Sequence, residues 1–133
     1  MSLPEFKQLV DEAKSQINEI GPNDVRRMQQ SGEDFTLIDV RERDEQAKGT
    51  IPGAIKLPRG ILEVNIEQIT TDKDRKLVLY CGGGSRSALA ALNLKKMGFR
   101  NVFSLAGGYR DWREGMHADS SSGNFTSADS REP

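Results

Sequence analysis

The segment Tyr80-Cys81-Gly82-Gly83-Gly84-Ser85-Arg86-Ser87 holds the residues whose types and spacing can do chemistry. Cys81 is the sole cysteine, and a thiol becomes a nucleophile as its anion. Three successive glycines permit positive φ and expose several backbone N–H groups. A helix start immediately afterwards turns such a loop into an anion-binding cradle. The helix dipole, the oriented amides and the Arg86 guanidinium all favour a thiolate and lower its pKa. The segment therefore describes an activated sulfur facing a small anion. A plainer reading stands beside it. A lone cysteine at a strand end is commonly a small buried hydrophobe, and a glycine-rich turn can be only a tight connection. Three glycines, however, cost backbone entropy that a merely structural turn rarely requires.

The elements around this segment must place it at the edge of a sheet. Leu77-Val78-Leu79-Tyr80 is a continuous apolar run that reads as a buried strand. Ser85 to Met97 follows as a helix closed by Gly98, with Ala88, Ala91, Leu92 and Met97 available to face a sheet. Val102-Phe103-Ser104-Leu105 is a further strand. Strand, helix, strand at this spacing is a βαβ unit, which predicts a parallel sheet covered on both faces. The loop then sits at the carboxyl edge, where α/β folds bind ligands. Phe35 to Val40 reads as another buried strand and Ala54 to Leu57 as a short one. Residues 3–20 read as one amphipathic helix, with Phe6, Leu9, Val10, Ala13, Ile17 and Ile20 at helical spacings. Ser2 and Glu5 fit a capping box at its start. Gly21-Pro22 breaks the chain before a second helix ending near Ser31-Gly32.

Composition narrows the function classes. The chain has 133 residues, and 19 Lys+Arg balance 20 Asp+Glu for a formal charge of −1. Near-neutrality leaves no electrostatic footprint for nucleic acid or an anionic membrane. No apolar run approaches the roughly 18 residues of a transmembrane helix, and the charged N-terminus lacks a signal-peptide core. One cysteine excludes an internal disulfide, and one histidine leaves a metal site only carboxylate-rich or shared options. No metal and no cofactor are expected. From Ala118 to Pro133 the sequence turns to Ser, Asp, Gly, Asn and Thr, with Phe125 the only large apolar residue, which reads as a flexible polar tail.

Several separated motifs then resemble the rhodanese family of sulfurtransferases over residues 21 to 115. Asp39-Val40-Arg41-Glu42 resembles the family's motif after its first core strand. Gly49-Thr50-Ile51-Pro52-Gly53-Ala54 is similar to the element usually written Gly-His-Ile-Pro-Gly-Ala, with Thr50 in place of histidine. Cys81 to Ser87 looks like the active-site loop, and Gly98-Phe99, Asn101-Val102, Leu105 to Gly108 and Trp112 resemble the C-terminal signature. Each motif is weak alone, but their order and spacing together are specific. The resemblance implies a three-layer α/β/α domain on a parallel sheet of about five strands. The organisation expected is an N-terminal helix over 1–20 packed on the domain, the domain over 21–117 and the tail over 118–133.

The resemblance also implies a reaction. Cys81 thiolate takes the outer sulfur of a donor such as thiosulfate, becomes a persulfide and passes that sulfur to cyanide or a thiol. Gly82, Gly83, Gly84, Ser85, Arg86 and Ser87 would cradle the persulfide, with Arg86 adding charge near the incoming anion. Related phosphatases and arsenate reductases resemble a Cys-x5-Arg loop wrapping a tetrahedral oxyanion. Here Arg86 follows after four residues and Ser87 holds the later position, so the smaller loop suits one sulfur atom.

Among the supporting residues, Asp39 either accepts N–H bonds near the loop or caps the following turn. Arg41 either adds positive potential at the pocket or pairs on the surface with Asp39 or Glu45. Arg59 either borders the pocket or, as the favoured reading, is solvated; Trp112 with Tyr109 reads as helix-to-sheet packing, and Arg41 to Glu45 as a short solvated helix. His117 is expected to be exposed and not catalytic. The expected partners are a small sulfur donor and a thiol or protein acceptor, for a cytoplasmic monomer. The competing class is a rhodanese-like binding module that recognises a partner without turnover.

Overall fold

Leu77, Val78, Leu79 and Tyr80 are all inaccessible to solvent, as expected of a central strand covered on both faces. The computed structural model describes residues 4–122, with side chains through Gly115. Its elements are α1 (Pro4–Gln16), β1 (Asn18–Ile20), α2 (Pro22–Ser31), β2 (Thr36–Asp39), α3 (Arg43–Gln46) and β3 (Ile55–Lys56). A 3₁₀ turn (Arg59–Ile61) leads into α4 (Leu62–Ile69), followed by β4 (Leu77–Tyr80), α5 (Ser85–Lys96), β5 (Val102–Leu105) and α6 (Gly108–Ser122).

The five strands form one parallel sheet in the order β1-β5-β4-β2-β3. Successive strand residues point to opposite faces. Leu77, Leu79 and Cys81 join Ile38, Leu62, Ile66, Ala90 and Leu94 on the face covered by α4 and α5. Val78 and Tyr80 join Val25, Leu37, Leu105 and Trp112 beneath α2 and α6. The result is the three-layer α/β/α arrangement expected. Outside it, α1 lays Val10 and Ala13 against Ala88 and Leu89 of α5.

Three elements differ from the sequence expectation. The N-terminal helix stops at Gln16, and residues 18–20 form the edge strand β1 beside β5. Ile17 and Ile20 continue the helical spacing, but each packs against a sheet core instead. Helix α4 is an element that the reading of the sequence left out. Helix α6 runs to Ser122, past the expected start of the tail at Ala118. The Ser2 cap and Phe125 lie outside the described residues, as does the His117 side chain. No described helix is long and apolar enough to cross a membrane.

Candidate active site

Cys81 follows β4 directly and is only 1% exposed. Its Sγ accepts the Gly84 amide at 3.1 Å and the Ser87 amide at 3.4 Å, and lies 3.5 Å from Ser87 Oγ. Ser87 Oγ in turn lies 2.8 Å from Ser104 Oγ, where either hydroxyl can donate. Burial pushes the Cys81 thiol up. The Ser87 hydroxyl and the amides of Ser87, Gly84 and Gly83 outweigh it and hold the thiol below its usual range. A buried cysteine and an activated one are thus the same residue here.

The glycines have separate jobs. Only Gly84 of the three adopts positive φ, at +104°, and a β-carbon there would stand 3.3 Å from the Gly107 amide. Gly82 lies beneath Arg86, where a β-carbon would meet Nη2 at 3.2 Å. Behind the loop, the Tyr109 amide donates to Cys81 O at 2.8 Å and the Arg110 amide to Gly82 O at 3.1 Å. These α6 amides clamp the loop from its outer side. The clamp needs Gly108, because a β-carbon there would sit 2.5 Å from Cys81 O. Gly107 and Gly108 belong to the C-terminal motif in the sequence, where nothing local marks their part in holding the loop.

Arg86 does not stand alone above the sulfur. Its guanidinium grips Glu45 of α3 through bonds of 2.8 and 3.0 Å. That pairing holds the Glu45 carboxyl down to about 2, and it raises Arg86 above the usual arginine range. The Cys81 anion contributes a further, smaller rise at Arg86. The sequence offered Glu45 only as a partner of Arg41 and not of Arg86, from which 41 residues separate it. Sequence reading missed Ser104, since nothing local marks it. Register alone reveals it: Ser104 sits beside Leu79, so it shares a sheet face with Leu79 and Cys81.

Asp39 and Arg41 form a support behind the loop. Both are buried, so of the two readings left open for Arg41 the pairing with Asp39 is present, but internally and not on the surface. Asp39 accepts the Arg41 amide, the Arg41 guanidinium and, at 2.8 Å, the Tyr80 hydroxyl. Burial raises the Tyr80 hydroxyl well above the usual phenol range, and Asp39 adds to the rise. Arg41 also donates to Gly49 O at 2.6 Å, and Tyr80 Oη accepts the Ile51 amide at 2.9 Å. The segment is therefore held by its backbone on both sides of Thr50. Gln46 adds bonds to the Asp39 and Arg41 carbonyls.

Arg59 is half-buried, donates its amide to Val40 O, and does not line the cleft beside the loop. Trp112 is buried as packing, and Tyr109 packs against the same core while also lining that cleft with Gly82, Arg110, Arg113 and Glu114. Among the described residues, no group of His, Cys, Asp and Glu could hold a metal ion.

The sequence from residue 21 to residue 115, loop and clamp included, matches the family described as the rhodanese-like domain. The chain belongs to the rhodanese-like domain family. A protein from Allochromatium vinosum named a sulfurtransferase is 36% identical over 101 residues, covering 75% of this chain and 92% of that protein. The human thiosulfate:glutathione sulfurtransferase is 34% identical over 90 residues, covering 59% and 78% of the two chains. A solved Rhodopseudomonas palustris structure, described as a possible tyrosine phosphatase, matches with a TM-score of 0.73 and 34% identity. That match covers 85% of this rhodanese-like chain and 92% of the other. Two longer curated relatives are spanned over only 54% and 26% of their length.

Proposed function

We propose that this rhodanese-like protein is a sulfurtransferase that carries a sulfane sulfur on Cys81. The observation that supports this most is the convergence of the Gly84 and Ser87 amides on a single Sγ whose acidity is raised. In the first step, Cys81 thiolate attacks the outer sulfur of thiosulfate. The Sγ–S bond forms, the sulfur–sulfur bond of the donor breaks, and the electron pair leaves with sulfite. In the second step, a thiolate or cyanide attacks the outer sulfur of the persulfide. The Sγ–S bond then breaks and returns its electron pair to Cys81. Amides that bond the thiolate can also follow the sulfur charge through both steps without rearranging. The ping-pong order follows from the covalent intermediate.

One solved relative is described as a possible phosphatase, but the loop here does not favour that reaction. The position that carries arginine in a Cys-x5-Arg loop is Ser87, which spends its amide and hydroxyl on Sγ. Arg86, one residue earlier, is held by Glu45.

Intact mass spectrometry tests the proposal. Incubation with thiosulfate should add one sulfur atom to the wild type, and cyanide should remove it. Cys81→Ser should gain nothing and lose more than about 99% of turnover, because covalent catalysis has no substitute thiol here. A wild type that gains no mass would instead indicate a binding module without turnover.

A further inference from the structure

The clamp that holds the loop also opens a cleft of about 320 Å³ beside it, lined by Gly82, Tyr109, Arg110, Arg113 and Glu114. Its volume is far more than cyanide or thiosulfate requires and falls at the small end of ordinary ligand sites. Two arginines face it from successive turns of α6. The Arg110 guanidinium reaches over Gly83, 3.8 Å from where a β-carbon would stand. Its Nε also meets Asp111, at 3.4 Å. Arg113 lies 5.6 Å over the Tyr109 ring, and no described carboxylate pairs with it. Tyr109 is itself stacked on by Arg41 at 4.2 Å, so the buried Asp39–Arg41 support extends to the cleft wall. Glu114 adds one negative charge to this lining, and Asp111, outside the lining, meets only Arg110 Nε, which leaves the Arg113 guanidinium without an ion-pair partner among the described residues.

Given the sulfur-transfer reading, the geometry points to an acceptor specificity: Arg110 and Arg113 seat the carboxylate of a small acidic thiol while its sulfur reaches the Cys81 persulfide. The thiolate attacks the outer sulfur, the Sγ–S bond breaks, and the product leaves as the persulfide of the acidic thiol. The carboxylate takes no part in the electron flow. It holds the attacking sulfur at the loop and thereby converts binding into proximity.

The test isolates the acceptor half of the cycle. Wild-type protein is loaded with thiosulfate and freed of excess donor. Discharge by 3-mercaptopropionate is then compared with discharge by 2-mercaptoethanol at equal thiolate concentration. The rate-constant ratio should favour the acid. It should fall about tenfold in an Arg110→Glu, Arg113→Glu double variant, the scale of two exposed ion pairs lost. The double lysine variant should restore most of it, and added salt should lower it. A second measurement needs no sulfur donor. Cys81 is the only thiol to alkylate, and the iodoacetate-to-iodoacetamide rate ratio should fall in the same double glutamate variant. A ratio unchanged by that variant in either measurement overturns the assignment. If thiosulfate leaves no sulfur on Cys81 while the alkylation ratio still falls, the sulfur-transfer reading fails and the anion-selective cleft stands.

Discussion

Cys81 is only 1% exposed, so any reactivity it has must come from its bonding partners. Burial alone favours the neutral thiol, so reactivity depends on donors that prefer the anion. Ser87 supplies two of them, its amide and its hydroxyl, and Ser104 can donate to that hydroxyl in turn. The thiol should therefore alkylate with a midpoint below the ordinary value of about 8.5. Removing the Ser87 hydroxyl removes a donor to the anion and raises the midpoint. Alkylation of Ser87→Ala below the midpoint should slow by about tenfold or more, the worth of a hydrogen bond to a charge. A rate-against-pH series on the two proteins checks this. An unshifted midpoint would assign the effect to backbone amides alone. Much of this chemistry was legible in sequence because Cys81 to Ser87 is one continuous stretch. Ser104 and the pairing of Glu45 with Arg86 were not legible, since strand register and a contact across 41 residues bring them in. The burial of Arg41 was equally hidden: its neighbours Glu42, Arg43 and Asp44 are charged and exposed, and its internal partners, Asp39 and the Gly49 carbonyl, make its burial tolerable.

At the scale of elements, the loop is set by what lies before and behind it. β4 delivers Cys81 from an inaccessible strand, α5 begins immediately after Gly84, and α6 clamps the outer side with the Tyr109 and Arg110 amides. Each attachment has a fixed spacing along the chain. Inserting one residue between Gly84 and Ser85 should move the Ser87 amide and hydroxyl out of register with Sγ. Thiosulfate-to-cyanide transfer should fall by about a hundredfold, the loss that follows removal of one preorganised donor to a developing anion. Transfer that survives the insertion unchanged would show that loop length does not set specificity. The core strands β2, β4 and β5 were legible as apolar runs. β1 was not, because Ile17 and Ile20 extend the helical spacing of α1 and only pairing with β5 separates them. Helix α4 was passed over because Leu62 and Ile66, its buried pair, span a single turn.

The whole molecule places its support unevenly around one parallel sheet. α4, α5, α2 and α6 cover the two faces directly, whereas α1 reaches the sheet only through α5. Its seat is the pairing of Val10 and Ala13 with Ala88 and Leu89, one turn or so along the same helix that starts at the sulfur cradle. Loss of α1 should therefore destabilise α5 from its outer side. Deleting residues 1–16 keeps β1 in the chain and removes only this layer. Val10→Ala, which trims the same seat more gently, should cost about 1–2 kcal/mol and lower Tm by about 3–8 °C. The full deletion should lower it further. Deleting residues 123–133, a polar stretch whose one large apolar residue is Phe125, should leave Tm unchanged because it removes little that a core could use. Thermal unfolding of the three variants beside the wild type decides the matter. If the two truncations melt alike, α1 contributes no more than a polar terminus and its apolar stripe must serve another contact. If only the 1–16 deletion melts early, persulfide loading measured below its Tm should remain, since no residue of α1 bonds the Cys81 loop.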